Sequence, residues 1–263
     1  MGMGRLETER VGDYPISDAK AADPLALQLV CRHEDFLLVA KPPGLSFHRE
    51  GGEPGLLERA RGQWGEPVLH AVHRLDRITS GLVLLARHGA AARDLGALLA
   101  RGMVEKYYLA LSHRKPGKSQ GLVRGAMVKG RGGNWRLAPA GGPLALTQFF
   151  SQGVAPGLRL FVLRPRTGRT HQLRVALKSL GSPILGDARY GGAQADRGYL
   201  HAWALRFSWR GEMFSTLLPP APGEHFEAGP LPARLHALDA PWALPWPRLN
   251  HAGADAFPTL DED

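Results

Sequence analysis

Leu82-Val83-Leu84-Leu85-Ala86 is a continuous apolar run without the alternation of a half-exposed strand, and it reads as a buried strand. A chain containing it must build a core around it. With 44% hydrophobic residues in 263, this chain can do so. Just before the run, one carboxylate, Asp76, stands between Arg74 and Arg77, and Thr79-Ser80-Gly81 makes a turn. An acid flanked by cations at the lip of a buried strand is either a structural ion pair or a nucleophile held ionised.

Other segments read by the same rules. Strands are expected over residues 25–30, 36–40, 104–111, 144–150 and 158–163, with a polar turn over 32–35. Residues 200–209 alternate, with His201, Trp203, Leu205, Phe207 and Trp209 on one side, which predicts a half-buried strand. Ala91, Leu95, Leu98 and Leu99 fall at helical spacing over residues 90–100, with Gly102 as the stop. Thr170 is a candidate N-cap for a short helix whose face is Leu173, Ala176, Leu177 and Leu180, ended by Gly181 and Pro183. Residues 51–67 read as a surface loop with a short helix, and residues 121–137 as a mobile basic loop containing Trp135. Strands mixed irregularly with short helices give an α+β class rather than a doubly wound one. Residues 1–24 read as a flexible arm, 25–220 as the main domain, and 221–263 as a Pro-rich extension with an acidic end. The extension is expected to pack through Trp242 and Trp246.

A net charge of +9 and a pI near 10.1 favour a polyanionic partner, nucleic acid before an acidic membrane surface. The single cysteine, Cys31, allows no intrachain disulfide and no cysteine zinc site. The polar first 22 residues lack the apolar core of a secretory signal, and no run is long enough to span a bilayer. A cytoplasmic location is expected. His70, His73 and Asp76 are spaced by three, but the segment leads into a strand, where such residues face opposite sides. No metal site is expected.

His73-Arg74-Leu75-Asp76-x-x-Thr79-Ser80-Gly81 resembles the signature of the RluA-type RNA pseudouridine synthases. Three later stretches are similar to that family in the same order: Lys106-Tyr107-Tyr108-Leu109-Ala110, Thr167-Gly168-Arg169-Thr170-His171-Gln172-Leu173-Arg174, and Pro183-Ile184-Leu185-Gly186-Asp187 with Tyr190-Gly191-Gly192. Lys41-Pro42-Pro43-Gly44-Leu45 resembles the family's Lys-Pro-x-Gly-Leu. The resemblance spans residues 25–209 and leaves 121–143 and the C-terminal extension without a family motif.

That resemblance implies a pseudouridine synthase fold, a mixed and mostly antiparallel bent sheet with flanking helices around a central cleft. It implies isomerisation of uridine in RNA, which adds and removes no atom and so requires no cofactor. Asp76 is the implied nucleophile, Arg169 its cationic partner, and Tyr108 the ring under the target base. Tyr107 sits one residue earlier on a period-2 strand, so only one of the two tyrosines should face the cleft. Implied substrate contacts are His73 to backbone, Arg74 in the place of the flipped base, Leu173 as apolar wall, Arg174 to phosphate, and Lys41. The separate N-terminal RNA-binding module of many relatives is expected to be absent. Ribosomal RNA is favoured as target over transfer RNA, and the chain is expected to act as a monomer. Two other classes compete: an RNA-binding or assembly factor on the same fold, and a glycosidase. The glycosidase needs a second carboxylate, and Asp187 reads instead as a structural turn acid.

Overall fold

The computed structural model describes residues 23–249, and most of the expected N-terminal arm and the acidic C-terminal end lie outside them. The apolar run becomes strand β4 (Thr79–Ala86), buried at every position. Its side chains divide between two cores: Val83 and Leu85 point into one, Leu82, Leu84 and Ala86 into the other. This two-sided cover is why the run does not alternate.

Among the described residues eleven strands form one sheet. The others are β1 (Gln28–Arg32), β2 (Phe36–Lys41), β3 (His70–Ala71), β5 (Glu105–Ser112), β6 (Gln120–Lys129), β7 (Trp135–Ala138), β8 (Leu144–Ala155), β9 (Leu158–Pro165), β10 (Leu200–Trp209) and β11 (Glu212–Leu217). The order is β1-β2-β4-β10-β5-β9-β8-β6-β7, with β3 on β4 and β11 on β10. Every pairing is antiparallel except β4 with β10. This parallel contact spans only Leu200–Ala202 against Thr79–Gly81. Gly81 makes the close crossing possible: at φ +111° a Cβ there would lie 2.2 Å from the Ala202 carbonyl oxygen. Beyond it the sheet forks. The register of β10 against β5 shifts between Ala202 and Ala204, and β11 takes over the edge that β4 leaves.

That shift corrects the half-buried reading of β10. Its first six residues are all buried. Trp203 and Ala204 face one core together, while Leu205, Phe207 and Trp209 face another. The expected mobile loop over 121–137 is corrected too. It is the edge hairpin of β6 and β7, with Ala126 and Met127 buried and Arg124, Lys129 and Arg136 exposed.

Among the described residues four α-helices flank the sheet: α1 (Leu56–Trp64), α2 (Gly89–Ala100), α3 (Gln172–Ser179) and α4 (Leu231–His236). α2 is capped by the His88 ring, which accepts from the Ala91 N–H, and the chain leaves the helix through Gly102 at φ +73°. Trp242 and Trp246 pack on Tyr107, and Trp246 also on Phe150, so the last described residues cover the sheet face opposite α3. Among the described residues no helix is long and apolar enough to cross a membrane.

Candidate active site

A cavity of about 500 Å³ opens where the loop before β4, the strand β5 and the β9–α3 connection meet. Asp76, His73 and Arg74 line it from the first, Lys106 and Tyr108 from the second, and Arg169, His171, Leu173 and Arg174 from the third. Three of the resembling motif stretches are thus gathered from segments up to 98 residues apart in the chain, the separation of Asp76 and Arg174.

Alternation on β5 chooses between the tyrosines. Tyr108 and Ala110 face the cleft-side core, whereas Tyr107, Leu109 and Leu111 face the opposite one. Burial, then the nearby Asp76 charge, pushes the Tyr108 hydroxyl well above its ordinary pKa of 10.0. It is therefore a neutral phenol at physiological pH. Tyr107 instead donates to Glu105 on the far face.

The cation on Asp76 is Arg174, not Arg169. Arg174 Nη1 donates to Asp76 Oδ2 at 3.1 Å, while its Nε and Nη2 grip Asp187 at 2.7 and 2.8 Å. Arg169 makes no ion pair with the carboxylate among the described residues; its backbone N–H is held by Gln172 Oε1 and its Nε donates to the Leu144 carbonyl. It stands exposed on the cleft rim. Gln172 also donates to the Leu146 carbonyl and Thr147 Oγ1, so one buried amide sets the whole connection. Burial opposes the Arg174 charge, but the Asp187 bond and the two carboxylates outweigh it and raise the guanidinium pKa.

Arg174 was expected on phosphate; held by two carboxylates and only 6% exposed, it is not available for that. Asp187 is a turn acid, as read, yet it also anchors the Asp76 partner. The sequence offered no sign of this, since the 174–187 pair forms only in space. Thr170 is not the N-cap either. That position belongs to His171, in the left-handed region at φ +57°, and Thr170 Oγ1 accepts from Arg74 Nη2.

Lys41 is a further correction. It does not line the cavity; it is 1% exposed, and its Nζ donates to the carbonyls of Pro42 and Arg77. The Arg77 carbonyl also accepts from the Gly44 N–H, and the Thr79 N–H closes on the Asp76 carbonyl. Lys41 therefore braces the turn that carries Asp76 from behind. Burial first, then Arg197, pulls its pKa down to about 7 against the opposing pull of Asp76.

His73 accepts the Leu84 N–H on Nε2, and burial and Lys106 pull its pKa down to about 3, so it is neutral. His70, His73 and Asp76 do not converge. Among the described residues the ligand atoms that do are those of His33, Glu34 and Asp35, and Asp35 is already held by His88, Trp209 and Arg210.

Residues 35–179 match the sequence profile described as RNA pseudouridylate synthase. The chain belongs to the RNA pseudouridine synthase family. It is 44% identical over 202 residues to an uncharacterised RNA pseudouridine synthase of Haemophilus influenzae, covering 76% of this chain and 90% of that protein. The ribosomal large subunit pseudouridine synthase C of the same organism is 31% identical over 211 residues, 74% of this chain and 65% of that one. Among solved structures, human RNA pseudouridylate synthase domain containing 1 superposes with a TM-score of 0.65 at 27% identity, over 76% of this chain and 86% of its own. The family's enzymes are isomerases that convert uridine in RNA to pseudouridine, and the α+β fold with its central cleft is the family's. The basic composition thus meets its polyanion, RNA.

Proposed function

We propose that this synthase modifies ribosomal RNA and that Asp76 is its catalytic carboxylate. The observation that carries the catalytic reading is the Asp76–Arg174–Asp187 chain. A guanidinium fixed on a second buried carboxylate gives Asp76 a charged hydrogen bond that need not reorganise during the reaction. Asp76 then acts as the ionised nucleophile or charge stabiliser beside the sugar while the N1–C1′ bond breaks and C5 joins C1′. The reaction returns as many atoms as it takes. The C5 proton leaves as N1 gains one.

Tyr108 stacks under the detached uracil, and Leu173 walls its apolar side. As a neutral phenol, Tyr108 serves better as a hydrogen-bond donor than as a base. The target uridine must leave its stack to enter. Arg74, on the rim beside Thr170, is placed to brace the vacated position, and Arg169 to meet phosphate. RNA affinity then comes from this rim and should weaken steeply with salt.

The ribosomal target is supported by the name of synthase C, a relative at 31% identity. The nearer Haemophilus relative is a separate protein in the same organism, which supports a target nucleotide other than that of synthase C. Transfer RNA is the alternative target. The test is a pseudouridine map of total RNA from cells lacking the protein, cells restored with wild type, and cells restored with Asp76→Ala. One ribosomal position should lose its mark in the first and third and regain it in the second. A transfer RNA position doing so would replace the target, and identical maps would overturn the catalytic reading.

A further inference from the structure

The two oxygens of Asp76 differ. Oδ2 takes the Arg174 bond at 3.1 Å and faces His171 Nε2 at 3.9 Å. Oδ1 accepts no hydrogen bond among the described residues, so the carboxylate is anchored from one side only.

His171 is itself held. Its Nδ1 lies 2.8 Å from the Tyr190 hydroxyl, and that oxygen already accepts the Trp135 backbone N–H at 3.0 Å. Nε2 faces a carboxylate, which can only accept, so the fitting tautomer is the one in which the Tyr190 hydroxyl donates to Nδ1. The neutral ring then carries its hydrogen on Nε2, the nitrogen that faces Asp76. The Tyr190 ring is 2% exposed and sits under the Arg174 guanidinium at 4.9 Å, so one tyrosine supports both neighbours of the carboxylate. His171 is also one of two non-glycine residues at positive φ among those described. Such a backbone persists only where its surroundings hold it, and it clusters at functional sites.

We propose that His171 is a positioning residue for Asp76: its Nε2–H, with the tautomer set by Tyr190, holds Oδ2 together with Arg174 and leaves Oδ1 as the oxygen presented to the substrate. This rests on the reading of Asp76 as the catalytic carboxylate. The 3.9 Å gap is one that contracts when substrate fills the cleft, as catalytic hydrogen bonds commonly do.

The charged groups around the ring are Asp76 from the loop before β4, Arg174 from α3, and Asp187 and Arg189 from the turn that carries Tyr190. Burial lowers the His171 pKa below its ordinary 6.5, against the pull of Asp76. The ring is neutral at pH 7. In acid it gains a proton, pairs fully with Asp76 and competes with substrate for the carboxylate. Activity should therefore fall on an acid limb lying below pH 6.5.

The experiment has two readouts. In ¹⁵N NMR of the imidazole, wild type should show Nε2 protonated and Nδ1 bare, and Tyr190→Phe should lose that preference. In single-turnover reactions, enzyme in excess is mixed with total RNA from cells lacking the protein. His171→Leu should lower the plateau rate about tenfold or more, and His171→Gln, which keeps an N–H donor, should recover to within about threefold of wild type. The half-saturating enzyme concentration should stay within about twofold, because the contact orients Asp76 rather than binding RNA. His171→Gln should also lose the acid limb.

A wild-type plateau rate in His171→Leu, or a proton on Nδ1 in wild type, overturns the inference. Should His171→Leu not fold, Tyr190→Phe and the imidazole spectrum decide. Asp76→Asn separates the two readings. If it keeps the wild-type rate, the catalytic assignment itself fails. If it is inactive while His171→Leu runs at full rate, only the role of His171 fails.

Discussion

Replacing Arg174 with Met should separate a stabilising role from a catalytic one. The side chain is 6% exposed and the Asp187 carboxylate it grips is 1% exposed. Arg174→Met leaves that carboxylate buried without a partner, at a cost of about 3–5 kcal/mol. In a chain of this size about 2–4 °C of melting temperature is lost per kcal/mol, so the fall should reach roughly 6–20 °C. The double variant Arg174→Met/Asp187→Leu removes both charges and leaves an apolar pair, so it should recover most of the loss. Activity should not return with it, because Asp76 still lacks its cation. The assay pairs urea unfolding with conversion of total RNA from cells lacking the protein. A single variant within about 1 kcal/mol of wild type would refute the buried-pair argument. Wild-type conversion by the double variant would refute the claim that Arg174 serves Asp76.

Three further outcomes follow from particular contacts. Gly81→Ala should destabilise by about 3 kcal/mol or more, since a Cβ would lie 2.2 Å from the Ala202 oxygen at φ +111°; urea midpoints close to wild type would contradict the β4–β10 crossing. His201, fully buried between Ser80 and the Leu218 carbonyl, has its pKa pulled by burial from 6.5 down to about 4. Between those values the unfolded chain binds a proton that the folded one does not. Stability is therefore full above pH 6.5 and falls toward pH 4 by up to about 1.4 kcal/mol per unit from this group. His73 adds a limb of the same sign reaching about pH 3, so His201→Gln should flatten the acid loss in part, read as urea midpoints against pH. Arg169→Ala should stay within about 0.5 kcal/mol of wild-type stability, because the side chain is exposed. It should weaken RNA binding and its salt slope by about one contact while leaving the plateau rate unchanged; a collapsed rate would return Arg169 to the reacting centre.

Local pattern carried much of this molecule. The unbroken run at Leu82–Ala86 announced a strand covered on both faces, because only neighbours in the chain are needed to show that no position is polar. Period-2 geometry showed that only one of Tyr107 and Tyr108 can face the cleft, the resemblance chose Tyr108, and the spacing of Leu95 and its neighbours with Gly102 located α2. The motif stretches named the family. Tertiary structure decided what depends on pairing across the chain. Arg174 rather than Arg169 meets Asp76 because Gln172 ties the connection to β8 and turns Arg169 outward, a contact between residues 25 or 26 apart. Lys41 went inward because the Arg77 and Pro42 carbonyls needed a donor. The two-fold role of Asp187 and the hold of Tyr190 on His171 exist only once α3 and the turn after it lie side by side. Basic, glycine-rich residues 121–137 looked like a loop because edge strands keep one charged face in water, and only the β8 ladder reveals the strand beneath.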